Sequence, residues 1–186
     1  IKGETTDELA GFLQATHERC IALHPQHPMV VLPSYNGARK LPNLTTLLAL
    51  LLAQEGVPVL VHGPEHDPGR VTTAEIFQTL GLPSASDAGD IHAAWQRREP
   101  VFIRTEALCP PLARLLDARR VIGLRNPAHT VAKLLAPGPQ SPSMRVVNYT
   151  HPEYGTMLTG FLGQTLANAM LLRGTEGEPV ADPRRL

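Results

Sequence analysis

Basic side chains are the residues of this sequence best suited to chemistry, because they pair with phosphate, and they are unevenly spread. The chain has 17 Lys and Arg against 17 Asp and Glu, a formal net charge of zero. Residues 1–93 nevertheless hold 5 basic and 10 acidic side chains, whereas residues 94–186 hold 12 and 7. Such asymmetry is typical of a surface for phosphate or nucleic acid, although arginines also cap helix C-termini and cover surface. The zero total therefore excludes no nucleic-acid partner.

A second anion-binding candidate opens the helix that follows the first strand and its loop. Asn43, Thr45 and Thr46 place an amide and two hydroxyls where the free backbone N–H groups of a helix N-terminus also point. The same residues serve equally well as plain helix caps. Both interpretations stay open at this point.

Histidine and cysteine offer weaker signals. His62 and His66 have a spacing that binds metal on a helix, but the glycine and proline between them indicate a loop, so no metal site is expected. Cys20 and Cys109 cannot form a disulfide framework or a zinc site by themselves, and Cys109 has no evident neighbouring base. The chain lacks a Walker loop, a dinucleotide glycine fingerprint, His-Glu-x-x-His and Cys-x-x-Cys.

Length and composition bound the class of protein. The 186 residues suit about one domain, and 42% hydrophobic with 18% charged residues is typical of a globular chain. The longest apolar run, Leu47 to Ala53, is far too short to cross a membrane. Two cysteines favour a reducing compartment, so we expect the cytoplasm. The chain begins at Ile1 instead of Met, and we therefore expect a fragment of a longer protein.

Short apolar strands alternate with helices along the chain, which predicts an α/β fold with a mostly parallel sheet flanked by helices. The predicted strands are Met29–Leu32, Val57–Val61, Val101–Arg104, Met144–Asn148 and Asn168–Arg173. The predicted helices are Ile1–His17, Leu44–Glu55, Thr72–Leu80, Ile91–Arg98, Pro110–Ala118, Pro127–Ala136 and Glu153–Gln164.

Capping residues and loops complete this outline. The expected helix starts are capping boxes at Thr5–Glu8 and Thr72–Glu75 and single caps at Asn43 and Asp90. Ligands of parallel sheets bind in the loops after the strands. Those loops are predicted at Pro33–Lys40, which contains Gly37, and at His62–Arg70, Arg104–Cys109, Asn148–Glu153 and Gly174–Asp182.

Three stretches share their residues, order and spacing with a known family. They are Lys2-Gly3-Glu4-Thr5 with Glu8 through Gly11, His62-Gly63 with Gly69 through Gly81, and Ile122-Gly123-Leu124-Arg125. Together they resemble anthranilate phosphoribosyltransferases over essentially the whole chain. The resemblance implies a nucleoside phosphorylase/phosphoribosyltransferase-type fold. It implies that residues 1–27 are the remnant of an N-terminal helical domain with its linker. Residues 28–186 would then form an incomplete α/β domain, and its helices at about 108–137 would pack on the helical domain.

Most positions that would serve catalysis in that family differ here. Where those enzymes cradle the pyrophosphate of phosphoribosyl pyrophosphate in a Gly-Thr-Gly-Gly-Asp loop, this chain reads Pro33-Ser34-Tyr35-Asn36-Gly37. Their Lys-His-Gly-Asn becomes Val61-His62-Gly63-Pro64, and one histidine becomes Cys109. Their acidic pair for magnesium falls near Glu178 to Asp182, where an ungapped reading places Pro179 and Val180. We therefore expect no catalytic residue, no metal and no other cofactor.

Two stretches, Pro33–Arg39 and Val147–Tyr154, more closely resemble the YbiB-like paralogues, which share this fold and bind nucleic acid as homodimers without marked sequence preference. The resemblance implies a non-catalytic protein that binds DNA or RNA with weak selectivity. It also implies that this protein is a homodimer and has no membrane partner. Basic side chains would contact the phosphates. The candidates are Arg39, Lys40, Arg70, Arg125, Lys133 and Arg145. Tyr35 and Tyr149 would stack on bases if exposed, although packing explains each of them as well.

Two other hypotheses use the same cleft. The first is a phosphoribosyltransferase of altered acceptor specificity, which would use phosphoribosyl pyrophosphate with Mg²⁺ and direct Arg125 toward an acidic acceptor. The second is a binding module for a small phosphorylated ligand. The ligand-binding candidates for both are Asn36, Gly37, Asn43, Thr45, Thr46, His62, Gly63 and Arg125.

Overall fold

Six parallel strands form the centre of the computed structural model, which describes residues 4–25, 27–138, 143–182 and 184. The strands are β1 (Met29–Pro33), β2 (Val59–Gly63), β3 (Ser84–Ala85), β4 (Val101–Arg104), β5 (Ser143–Tyr149) and β6 (Ala169–Arg173). They lie in the order β3-β4-β2-β1-β5-β6, and every neighbouring pair is parallel. The central strands β1 and β2 are buried along their whole length, as expected for a sheet covered on both faces.

Eight helices flank this sheet in the described part of the chain. They are α1 (Thr6–His17), α2 (Thr45–Gln54), α3 (Thr73–Thr79), α4 (Ala88–Gln96), α5 (Thr105–Leu108), α6 (Pro110–Ile122), α7 (Ala128–Leu134) and α8 (Pro152–Gln164). A short 3₁₀ helix, Thr175–Gly177, follows β6. The predicted α/β class with a mostly parallel sheet is confirmed.

The apolar core lies in two layers, one on each face of the sheet. One layer joins Phe77 of α3 and Ala49 of α2 to the sheet. The larger layer joins α1, α4, α7 and α8 to the other face, and it includes Leu9 and Leu13 of α1. Helix α1 therefore packs on α7 and shares its core, and the domain boundary expected after residue 27 stays a prediction.

Local sequence signals correctly placed the starts of the two helices that begin with a capping box. The capping boxes of Thr5 with Glu8 and of Thr72 with Glu75 are confirmed in both directions of their hydrogen bonds. The first helix begins at Thr6, and residues 1–3 of its predicted range lie outside the described residues.

Several predicted details are wrong, each for a physical reason. Helix α4 begins at Ala88 because the side chain of Asp87 is the cap, so Asp90 lies inside the helix. Helix α2 begins after Leu44, although the side chain of Asn43 still accepts a bond from the Thr45 N–H. Helix α6 continues to Ile122, and Gly123 ends it with φ +73°. The loop expected at Arg104–Cys109 is instead the helical turn α5.

Helix α2 also differs from the buried helix that its apolar sequence predicts. Ala49 and Ala53 face the sheet, whereas Leu44, Leu47 and Leu51 are about half exposed. A helix that packs on one face buries only one stripe of side chains, whatever the rest of its sequence. In the ranges that the structure describes, no helix combines the length and the apolar character needed to cross a membrane.

Strand β2 ends at a glycine because the chain after β1 passes directly over it. A Cβ atom on Gly63 would overlap the carbonyl oxygen of Ser34. The Ser34 N–H donates to the His62 carbonyl over 2.8 Å, which holds the two backbones together. Gly63, named above as a ligand-binding candidate, thus has a packing role in this structure.

Replacing Gly63 with alanine is expected to lower the free energy of unfolding by about 2–4 kcal/mol, because backbone must move to relieve the clash. Urea unfolding of the Gly63→Ala variant measures the loss. Gly160→Ala is the matched control: its Cβ meets open space in α8, and alanine favours a helix by about 1 kcal/mol. Equal midpoints for the two variants would contradict the close approach at Gly63.

Candidate functional site

The loops at the carboxyl ends of β1, β2, β5 and β6 surround one open cavity of about 910 Å³. Its lining is rich in charge, and cations outnumber carboxylates. The basic lining residues are Arg39, Lys40, Arg70, Arg125 and Lys133, and the acidic ones are Glu4, Glu153 and Glu176. Five of the six basic residues predicted from the sequence therefore line the same space.

Arg125 enters this cavity from the turn between α6 and α7. Its Nη2 donates to the side-chain oxygen of Asn36 over 2.8 Å, which ties the turn to the loop after β1. Burial lowers the pKa of Arg125, and the nearby Arg119 and Arg70 lower it further. An anion bound beside Arg125 would stabilise its charged form and so oppose the effects of burial and of the neighbouring arginines on its pKa.

Lys133 is a half-buried cation on the wall of the cavity. Its Nζ on α7 donates to Asn148 at the end of β5, to the side-chain oxygen over 3.0 Å and to the carbonyl over 3.3 Å. Burial, with Arg125 as the next cause, lowers the pKa of Lys133 to about 8. Asn148 is fully buried, and its Nδ2 has no hydrogen-bond partner among the described residues. An ammonium and a spare amide donor thus lie side by side on the cavity wall.

The remaining cations lie on two loops that are tied together. Ala38 and Val71 exchange both backbone hydrogen bonds, over 2.9 and 2.8 Å. Arg70 donates from Nη1 to the Gly37 carbonyl over 3.1 Å. Arg39 and Lys40 are exposed on the neighbouring stretch of the first loop. The three side chains form the rim of the cavity.

Arg145, the sixth predicted basic residue, lies apart from the cavity. It is half-buried and donates to the Leu134 carbonyl over 2.6 Å, while its Nε is buried without a partner in the described chain. Burial, followed by the charge of Arg145, lowers the pKa of His17 to about 4. Arg145 thus serves the packing between β5 and α7.

A buried carboxylate occupies the centre of the loop after β1. Glu178, which follows the 3₁₀ helix after β6, is 2% exposed. It accepts bonds from the backbone N–H of Asn36 over 2.9 Å and of Gly37 over 2.7 Å, and from the Thr45 hydroxyl over 3.2 Å. The Ser34 hydroxyl also donates to it. Burial raises the pKa of Glu178, and these four donors act in the opposite direction. We call these donors and the space between them the anion cradle.

The anion cradle includes three of the eight predicted ligand-binding residues. Asn36, Gly37 and Thr45 face the Glu178 carboxylate, and Gly37 adopts φ +64° to present its N–H. Asn43 donates to the Thr73 hydroxyl over 2.9 Å. The hydroxyl of Thr46 is buried with no partner in the described residues. An anion position exists here, and the protein fills it with its own side chain.

His62 lies below the cradle and has a structural role. It is fully buried, with Nδ1 3.0 Å from the Tyr35 hydroxyl and Nε2 3.2 Å from the Leu135 carbonyl. Burial lowers the pKa of His62 to about 4, so the ring is neutral at physiological pH. The hydrogen bond to His62 keeps Tyr35 packed inside the protein. Tyr149, in contrast, lines the cavity.

The sequence indicated the place of Glu178 without its role. The position expected for the acidic pair lies immediately after it, at Pro179 and Val180. Across the described ranges, no group of three or more His, Cys, Asp or Glu side chains is placed to hold a metal ion. The backbone amides of Asn36 and Gly37, which a phosphate would need in the loop after β1, already bind the Glu178 carboxylate.

The six-stranded parallel sheet and its flanking helices match the fold of anthranilate phosphoribosyltransferase. The crystal structure of that enzyme from Thermus thermophilus covers 89% of this chain with a TM-score of 0.66, at 22% identity and over 50% of its own length. The predicted phosphoribosyltransferase-type α/β fold is thereby confirmed, while the partial N-terminal helical domain stays a prediction.

The particular relatives are of two kinds. The Escherichia coli K12 protein YbiB is 44% identical over 188 residues, which is 100% of this chain and 59% of that protein. Anthranilate phosphoribosyltransferase of Synechococcus elongatus is 28% identical over 183 residues, 95% of this chain and 51% of the enzyme. The predicted resemblance to both is confirmed, and the chain spans little more than half the length of these relatives. No family model matches the chain.

Replacing Glu178 with alanine is expected to reduce the free energy of unfolding by about 3 kcal/mol or more, because several buried donors lose their acceptor together. Glu178→Gln keeps the volume and one acceptor oxygen, so it should lose about half as much. Chemical denaturation of both variants tests this order. Glu153→Ala, a change at an exposed carboxylate, is the control and should stay within about 0.5 kcal/mol. A wild-type value for Glu178→Ala would contradict the cradle.

Proposed function

We propose that this chain is part of a protein that binds nucleic acid without catalysis and with little sequence preference. The observation that carries the proposal is the gathering of five cations on one cavity, next to an anion cradle that Glu178 already fills. Phosphates would be contacted by side chains at the rim instead of by the cradle. Both DNA and RNA offer such phosphates.

The physical basis of this binding is charge neutralisation. Each phosphate that meets Lys or Arg releases condensed counterions, so affinity falls steeply as salt is added. Contacts to phosphate position the nucleic acid but carry no sequence information. Tyr149, on the cavity wall, is placed to add base stacking, which every base accepts.

In this proposal the whole protein is a cytoplasmic homodimer, so that two basic cavities act on one nucleic acid and gain avidity. The end of α6, beside Arg125, supports an interface there: Val121, Ile122 and Leu124 are 92%, 60% and 63% exposed. Apolar side chains grouped at this level of exposure are typical of a contact surface.

The phosphoribosyltransferase alternative is less well supported by the same geometry. Pyrophosphate in the cradle would compete with the buried Glu178 carboxylate for the same backbone amides. Two negative groups on the same donors would repel each other. The chemistry of that family would also lack its phosphate-binding lysine, since the position is Val61.

A mobility shift with mixed-sequence DNA over a salt series tests the proposal. The whole protein should bind at low salt, and a plot of log affinity against log salt should fall with a slope near the number of phosphate contacts. The double variant Arg39→Ala/Lys40→Ala should reduce that slope by about 2 and weaken binding roughly uniformly across sequences.

The matched control removes two arginines that do not line the cavity, Arg97→Ala and Arg114→Ala, for the same change in net charge. It should alter the slope by less than about 0.5. If the whole protein did not bind at low salt, the proposal would be overturned. If the two double variants gave equal slopes, the cavity would not be the site that contacts the phosphates.

Lys133 makes binding depend on pH. Its pKa is lowered to about 8, so the ammonium is present below pH 8 and is lost as pH rises through it. At constant ionic strength, affinity for DNA should therefore fall about three- to tenfold between pH 7 and pH 9. Fluorescence anisotropy measures the profile.

The variant Lys133→Met separates this effect from other titrations. It should bind more weakly at pH 7 and show a flat profile across pH 8, whereas Lys40→Met should keep the step. A step of unchanged size in Lys133→Met would show that another group is responsible.

A further inference from the structure

A second carboxylate lies on the outer side of the same loop. The backbone N–H groups of three consecutive residues, Arg39, Lys40 and Leu41, all donate to one oxygen of Glu176, over 2.7, 3.0 and 3.2 Å. Successive amides that converge on one point form an anion-binding nest. We call these three amides the outer nest.

The outer nest differs from the anion cradle in its access to solvent. Glu178 in the cradle is 2% exposed, whereas Glu176 is only half-buried and lines the cavity. The Arg39 N–H first, and then Lys40, Leu41 and the charge of Arg70, lower the pKa of Glu176. The outer nest is therefore a place where negative charge is stabilised and where a ligand from solvent can arrive.

The backbone of Glu176 adopts an uncommon conformation while its side chain occupies the outer nest. Glu176 adopts φ +52°, a conformation that side chains other than glycine rarely take. The segment around it bonds to the loop after β1 through Glu176, the Gly177 carbonyl and Glu178. Glu176 can leave the outer nest while the buried Glu178 keeps the segment in place.

We propose that the outer nest is a binding site for a backbone phosphate of nucleic acid, and that Glu176 is the exchangeable carboxylate that this phosphate displaces. The inference rests on the proposed function and adds a site to it. A phosphate oxygen accepts the same three N–H groups, and it also meets the side chains of Arg39, Lys40 and Arg70 at the rim. Glu176 then acts as an internal competitor that lowers the affinity for nucleic acid.

A matched pair of variants tests the exchange. Glu176→Ala and Glu153→Ala each remove one carboxylate from the cavity lining, but only the first empties the outer nest. If Glu176 competes with phosphate, Glu176→Ala should bind mixed-sequence DNA about five- to tenfold more tightly than wild type, and Glu153→Ala no more than about twofold. Thermal melting checks the fold, and Glu176→Gln, which keeps an acceptor on the nest, should give a smaller gain.

Amide signals supply a readout that does not depend on affinity. In ¹⁵N-labelled whole protein, a short DNA should shift the backbone amides of Arg39, Lys40 and Leu41, and inorganic phosphate should shift them in Glu176→Ala alone. If wild type binds no DNA, the proposed function fails. If wild type binds DNA but the two alanine variants gain equally and these amides do not move, the proposed function stands and the phosphate site on the outer nest is overturned.

Discussion

The buried carboxylate of Glu178 is the interaction on which the arrangement of the site depends. Removing a carboxylate from water costs roughly several kcal/mol unless the protein supplies enough donors. Here the donors come from two other parts of the chain: the loop after β1, with Ser34, Asn36 and Gly37, and the start of α2, with Thr45. None of these segments can move alone without leaving the carboxylate or a buried donor unpaired.

The cations of the cavity are positioned through the same network. The backbone N–H of Asn36 donates to Glu178, and its side-chain NH₂ donates to the Gly177 carbonyl. Its side-chain oxygen accepts a hydrogen bond from Arg125. The Gly37 carbonyl receives Arg70. A rigid buried centre therefore sets the direction of two guanidinium groups on separate loops, and neither of them needs a negatively charged partner in the described chain. They remain available to an external anion.

The sequence predicts those parts of the fold that are set by neighbours along the chain. Capping boxes such as Thr72 with Glu75, and apolar strands such as Met29–Pro33, carry their signal within a few residues. The two-residue strand β3 and the single turn α5 are too short for any periodic signal. The pairing of Glu178 with Asn36 spans 142 residues and leaves no local pattern, so the filled cradle could not be predicted. For the same reason, charge alone did not separate Arg145 from the five basic residues on the cavity.

Two carboxylates on two sets of backbone amides explain how one fold can serve different chemistry. Backbone amides bind any anion of suitable size, because their geometry is a property of the loop and not of its side chains. An acidic side chain on a neighbouring loop therefore suffices to close such a site, without any change in the strands below it. Glu178 occupies the anion cradle and is buried, while Glu176 occupies the outer nest and is half-buried. In the proposed binding mode the anions are then met by flexible arginine and lysine side chains at the rim, and a contact of that kind reads charge and not sequence.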